Sequence, residues 1–387
     1  MQTRSEELTV SAPSTPNKWW NVRNASFVLL SILVTVFIFR YLFTIISWHD
    51  VVEMISAAKL QGVLLFLVFS FSQSIARTWQ YRTLLAIHDV AVPRIPLFLI
   101  ILVRNFFSDL LPARLGQLIY IYLVNNRLRI PLTLATASFA LAFIFDIVAV
   151  VPLILTAVML VGGDVIPFRG TLAIAACVLA ALSFLAVLLL PRAIMIARHL
   201  FHDKDNAHSL RSRFADFLDR TKHAVEQTQR AGVYTQVFIL SALVRFLKYT
   251  ALYFFLYALL APRGYALVDL SIAKSFIGLC AAEFAASMPI SGLGGFGLYE
   301  GTWAFTFQLL GFPKEIAVLT SVAHHLFTQL YGYLLALVSL ALLLLPVWGG
   351  TDAGSTTQDS NLRFFLKLLG FLCGAGVLAF LVFAAAE

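Results

Sequence analysis

Charge is what this sequence has least of. Only 12% of its 387 residues are Asp, Glu, Lys or Arg, while 60% are hydrophobic. A soluble domain needs more polar surface than that, and the composition places the chain in the membrane class. Cysteine is also scarce. Cys177, Cys280 and Cys373 fall inside apolar runs and read as small buried hydrophobes, which leaves no disulfide framework or thiolate metal site. No P-loop, dinucleotide fingerprint or HExxH pair occurs, and no soluble stretch is long enough for a catalytic domain. ATP-driven pumping by this chain alone and zinc-dependent hydrolysis are therefore not expected, and neither cofactor nor metal is implied. The +8 net charge sits in loops without a basic stripe interleaved with aromatics. It suits anionic lipid headgroups and not nucleic acid. The N-terminus does not open on a basic and then apolar signal sequence, so no cleaved signal peptide is expected.

What the sequence does have is long apolar runs. Ser26–Ser47, Val63–Leu85, Leu132–Leu160, Thr171–Leu190, Val237–Leu260, Ile316–Leu345 and Phe364–Ala385 each reach or exceed the ~20 residues that cross a ~30 Å hydrocarbon layer. The expected fold is all-α: a polytopic membrane protein of about eight transmembrane helices plus two re-entrant hairpins. The stretch from Arg192 to Arg230 carries the densest basic charge, which the positive-inside rule places in the cytoplasm. Working outwards puts the N-terminus inside, the 50–59 linker outside and Arg94, Arg114, Arg127 and Arg129 inside. The domain layout is then a cytoplasmic tail at 1–25, a transmembrane domain at 26–345, a cytoplasmic linker at 346–361 and a final helix at 362–387. Within 203–232, Leu210, Phe214, Phe217, Leu218, Thr221 and Val225 recur at helical spacing, as on an amphipathic helix. Such a helix lies on the membrane surface or docks a partner or gate.

Two apolar segments do not behave as simple spans. The first, 95–127, is interrupted by Arg104, Asn105, Asp109, Pro112, Arg114 and Gly116. Both its flanks fall on the cytoplasmic side, as for a hairpin that enters, breaks at Pro112 and leaves. The second, 267–310, places Gly292, Gly294, Gly295 and Gly297 after Pro289 and just before Glu300. Glycines tolerate positive φ and let other groups approach the backbone. Each segment is followed by a proline, Pro131 or Pro313, that opens a long helix. The two units read as an internal repeat, about 60–190 and 233–345, inverted because an odd number of spans separates them. Two unrelated hairpins sharing proline punctuation are the alternative. Inverted repeats whose broken helices meet near the midplane are a transporter architecture.

A charge near the bilayer centre costs roughly 2.5–3.5 kcal/mol on insertion scales, so each one needs an explanation. The candidates are Arg77, Arg82, Arg104, Asp109, Asp146, Arg245, Lys248, Lys274, Glu283 and Glu300, with His324, His325 and Gln329. Cations and carboxylates occur in both halves, so some are structural pairs and some face a ligand. Arg40 and Arg82 lie near span ends and suit snorkelling. Arg77, Arg104, Arg245 and Lys248 are the cations suited to an anionic phosphate. His324 and His325 lack further ligands at metal spacing and suit packing or protonation.

At these residues the chain resembles the transmembrane, flippase-like domain family named after lysylphosphatidylglycerol synthase. The resemblance rests on Arg77 with Arg82, NFFSDLLP at 105–112 with Gly116, Asp146, and PISGLGGFG at 289–297 with Glu300. It covers roughly residues 26–345, and the glycine-rich stretch is its most specific part. Members of the family are associated with moving lipids between leaflets, and those that also synthesise aminoacylated lipid carry a separate soluble transfer domain. The present sequence contains no segment of that kind, so the resemblance implies translocation without synthesis, in a bacterial cytoplasmic (inner) membrane. Two departures stand out. The family usually has Gly-Glu where this chain has Gly116 and Gln117, and a Glu-Arg pair where it has Ala142 and Phe143. If those charges contact headgroups, the substrate differs from a cationic aminoacylated lipid.

The resulting expectation is a lipid transporter without enzymatic activity. The implied partner is a membrane lipid: a phospholipid, an aminoacylated lipid or a polyprenyl-linked lipid. A homodimer or a biosynthetic enzyme remains open as an assembly. The expected substrate-binding set is Arg77, Arg104, Asn105, Asp109, Arg114, Gln117, Asp146, Arg245, Lys248, Glu283, Ser291, Gly292, Gly294, Gly295, Gly297, Glu300 and His325. An integral-membrane enzyme or accessory subunit acting on a lipid-linked sugar or phosphate is the alternative. A small-solute transporter is disfavoured by the 34 phenylalanines and by the lack of a polar pore stripe.

Overall fold

The structure, a computed structural model, describes residues 33, 35–87, 92–110, 116–162, 226–228, 230–288, 291 and 293–345. The expected spans at 171–190 and 364–385, most of the amphipathic stretch 203–232, the linker and the N-terminal tail lie outside the described residues. All regular structure among the described residues is helical.

A short helix, α1 (Trp48–Ser56), precedes the first long one. Ser47 and Asp50 close it with a reciprocal capping box: the Ser47 N–H donates to the Asp50 carboxylate at 2.7 Å and the Asp50 N–H to the Ser47 hydroxyl at 3.3 Å. These bonds, the backbone one foremost, hold the Asp50 carboxyl below its usual range.

Two series of four helices follow, with lengths in the same order. The first is α2 (Leu60–Ala86, 27 residues), α3 (Arg94–Leu110, 17), α4 (Ile119–Leu128, 10) and α5 (Leu132–Gly162, 31). The second is α6 (Tyr234–Leu260, 27), α7 (Ile272–Ala286, 15), α8 (Leu298–Leu309, 12) and α9 (Lys314–Leu344, 31). In each series the first and last helices are long and apolar enough to cross a membrane. The inner two are not. At ~1.5 Å per residue, α4 is about 15 Å long and α7 about 22 Å, short of ~30 Å of hydrocarbon. The inner helices pack against each other as hairpins, α3 on α4 and α7 on α8. Pro131 and Pro313 stand immediately before the long helices that close each series, and their carbonyls accept the Ala135 and Ala317 N–H groups at 3.1 and 2.9 Å. Both expected helix starts are thus where the prolines put them, one residue outside the helix proper.

The long helices α2 and α6 run antiparallel along their whole length. Phe66 packs on Phe255, Phe69 stacks on Phe254, and at the other end the Gln80 side chain donates to Ser241 Oγ at 2.5 Å. Gly62 makes the contact close, because a Cβ there would lie 2.7 Å from Ala258 Cβ and 2.9 Å from the Phe254 carbonyl oxygen. The first arm of each hairpin packs on the closing helix of the other series, α3 on α9 and α7 on α5, while the second arm packs on that of its own, α4 on α5 and α8 on α9. Two apolar cores result. One gathers the α3–α4 hairpin around the C-terminal end of α2 and the N-terminal parts of α5 and α6. The other gathers the α7–α8 hairpin around the C-terminal part of α6 and the N-terminal part of α9.

The outer surface is apolar. Leu64, Val68, Phe71, Ile75 and Trp79 form an exposed stripe along α2, and Leu330, Leu334, Leu337 and Val338 do the same on α9. The inward face of α2 carries Ser70, Gln73, Ser74 and Arg77 at helical spacing. This is the amphipathicity of a soluble helix turned inside out, with apolar side chains facing outwards and polar ones inwards, which only a lipid surrounding stabilises. The chain is an integral membrane protein.

Candidate functional site

Between the two cores lies a cavity of about 200 Å³. Its charged lining comes from near the middle of three of the four long helices and from both hairpins: Arg77 on α2, Asp146 on α5, Arg245 and Lys248 on α6, Arg104 and Asp109 on α3, and Glu283 on α7. Asn105, Gln117, Gly294, Gly295 and His325, the last from mid-α9, complete the part of the expected set that the cavity brings together. Gly297, Ser291 and Glu300 stand behind the wall, and Arg114 and Gly292 lie outside the described residues.

Apart from Asp109, these charges sort into three groups. In the first, Asp146 Oδ2 takes both Arg77 Nη1 at 2.6 Å and Arg245 Nη2 at 3.0 Å, joining α2, α5 and α6 through one carboxylate. Arg77 also donates to Gln80 Oε1 at 2.8 Å, which extends the network to Ser241 on α6. Lys248 and Glu283 form the second group, a 2.6 Å pair between α6 and α7. The third is Arg104. Its Nη1 donates to Asn105 Oδ1 at 3.2 Å and its Nη2 to Gln117 Oε1 at 3.3 Å, while its guanidinium carbon lies 5.6 Å from the centre of the Tyr81 ring.

Gln117 reaches Arg104 because Gly116 brings the two arms of the first hairpin into contact. A Cβ at Gly116 would lie 1.5 Å from the Phe107 carbonyl oxygen, so no other residue fits that approach. Gln117 Nε2 in turn donates to Ser108 Oγ at 3.1 Å, which fixes the amide with its oxygen towards Arg104.

In the second hairpin, Gly294, Gly295 and Gly297 all have φ between 70° and 93°, the left-handed region that favours glycine. Glu300, wholly buried, anchors this loop. One carboxylate oxygen accepts the Gly297 N–H at 2.7 Å, and the other meets His325 Nδ1 at 2.6 Å. Gln329 donates to the Gly294 carbonyl at 3.0 Å and sits 2.9 Å from His325 Nε2. The His325 ring stacks on Tyr299 with centroids 4.0 Å apart. The Gly297 amide is therefore already engaged within the protein. Ser291 donates to the Ala286 and Met288 carbonyls at 3.0 and 2.7 Å, so it closes the end of α7. His324 packs between Phe255 and Trp303 and contacts the Leu252 carbonyl at 3.1 Å, without itself lining the cavity.

The cavity also takes in Ser70, Gln73, Ser74, Ser108, Tyr299 and Thr328, which the sequence did not single out, and Gln329, an intramembrane candidate outside the expected substrate-binding set. The signal for the first three was present: with Arg77 they occupy positions i, i+3, i+4 and i+7 of α2, one face of a helix.

Apolar helices around a charged internal cavity define a polytopic membrane protein with an intramembrane polar site. A family model described as the lysylphosphatidylglycerol synthase TM region matches residues 28–336, and the chain belongs to that family. The match ties it to lipid handling in the membrane. No curated protein matches the chain.

Proposed function

We propose that the protein moves a lipid with a polar or anionic headgroup from one leaflet to the other, the headgroup passing through the cavity while the acyl chains stay in the surrounding bilayer. The observation that carries this reading is the position of the charged lining, near mid-length on three apolar helices and ringed by apolar outer surface. A polar route at that depth replaces the headgroup's water where crossing pure hydrocarbon costs most. The antiparallel α2 and α6, the matched order of helix lengths and the exchanged first arms of the hairpins support an inverted repeat with two re-entrant hairpins, an arrangement suited to alternating access. The loop charges favour an orientation with the N-terminus in the cytoplasm, and membership of the family favours a bacterial cytoplasmic membrane.

In this reading the Asp146 and Glu283 pairs hold the helices together and polarise the cavity, Arg104 meets the headgroup, and Glu300 with His325 positions the glycine loop at its wall. Purified protein in vesicles, given tagged anionic, zwitterionic, aminoacylated and polyprenyl-phosphate lipids, should move at least one class between leaflets without changing its mass. A changed lipid mass with no movement would make the protein a lipid-modifying enzyme and the cavity its active site.

A further inference from the structure

The four cations of the cavity are not equivalent. Arg77 and Arg245 share Asp146, and Lys248 is matched by Glu283. Among the described residues, Arg104 has no carboxylate within ion-pair distance. Its direct contacts are neutral: the Asn105 and Gln117 side-chain oxygens and the Tyr81 ring. It is only 7% exposed and it lines the cavity; its Nε, like those of Arg77 and Arg245, has no hydrogen-bond partner among the described residues. A guanidinium stays protonated, and a buried one without a counter-ion is costly. Weak neutral contacts at 3.2 and 3.3 Å do not supply that counter-ion.

We propose that Arg104 is the phosphate-binding residue of the cavity and that Gln117 sets its charge selectivity. The ligand class is a phosphate ester, which completes the fork of donors that Arg104 presents. Gln117 orients the guanidinium through its oxygen without neutralising it, and its own amide is held by Ser108. A carboxylate of the same shape at this position pairs with Arg104 from within the protein and competes with the ligand. Selection for phosphate therefore depends on one neutral amide next to one arginine, while the other three cations act in the framework.

This assignment rests on the lipid-transport reading for its biological meaning, but binding tests it separately from movement. The full-length protein in detergent is titrated with a short-chain phosphatidylglycerol, the matching diacylglycerol, and glycerol 3-phosphate. Wild type should prefer phosphatidylglycerol to diacylglycerol. Arg104→Gln and Gln117→Glu should each weaken phosphatidylglycerol binding by about 10- to 100-fold, the range for one hydrogen-bonded charge, and leave diacylglycerol binding unchanged. Arg263→Gln, which removes an exposed cation remote from the cavity, should leave phosphatidylglycerol binding unchanged. Gln117→Glu is isosteric and gains an internal ion pair, so its melting temperature should match or exceed that of wild type. Competition by glycerol 3-phosphate at equal concentration would assign the same chemistry to a free phosphate ester, and its failure to compete would assign it to the lipid. Undiminished phosphatidylglycerol binding by Gln117→Glu, or wild-type binding that ignores the phosphate, would overturn the assignment whether or not the protein moves lipid.

Discussion

Asp146→Asn tests the electrostatic framework most severely. The side chains of Asp146 and Arg77 are each 5% exposed, and that of Arg245 is 14% exposed. The substitution keeps the shape but leaves two buried guanidiniums without a shared carboxylate. Removing one partner of a buried pair costs about 3–5 kcal/mol. Because the network borders a polar cavity, water recovers some of that, and the expected loss is about 3 kcal/mol. Thermal or denaturant unfolding of the purified protein in detergent reads it directly. A double-mutant cycle then isolates the interaction: Arg77→Met should destabilise wild type but be close to neutral in the Asp146→Asn background. A loss below about 1 kcal/mol, the ceiling for exposed pairs, together with additive single effects would refute the buried-network reasoning.

Three other perturbations follow from the geometry. Glu300→Gln replaces the carboxylate that holds both the Gly297 amide and His325; it should cost about 1–3 kcal/mol and speed hydrogen exchange at residues 293–299, measured by mass spectrometry. Gly116→Ala drives a Cβ into the Phe107 backbone, where no rotamer change relieves it, and should destabilise the first hairpin by about 3 kcal/mol, seen as a lowered melting temperature. Gly62→Leu should push α2 away from Ala258 on α6 and destabilise the protein by ~1–3 kcal/mol, seen as a lower unfolding midpoint, whereas Gly332→Ala, which meets open space, should not lower that midpoint.

Much of the fold was legible because lipid imposes its own grammar. Four of the apolar runs are the four long helices described here, and Pro131 and Pro313 mark two of their starts. The two hairpin segments were legible as interruptions, since a charge or clustered glycines in an apolar run needs a local reason; Pro112 and Pro289 lie outside the described residues. The pairing of charges was not. Asp146 and Arg245 are 99 positions apart, and Lys248 and Glu283 are 35 apart, so which acid meets which base depends on how α2, α5, α6 and α7 pack. The same packing makes Arg104 differ from Arg77, although both are arginines in apolar surroundings. Ser70 and Ser74 were hidden for another reason: serines are cheap in membrane helices, and only their common face with Gln73 and Arg77 gives them meaning.

The most direct test of the account is the rate of lipid movement between leaflets in vesicles holding wild type or Arg104→Gln at equal protein density. Arg104→Gln removes the one cavity arginine without a carboxylate partner among the described residues and leaves the paired framework intact. The account predicts movement by wild type above protein-free vesicles and a loss of about tenfold or more in the variant, with its melting temperature unchanged within a few degrees. Equal rates for the two proteins would contradict a headgroup route through this cavity.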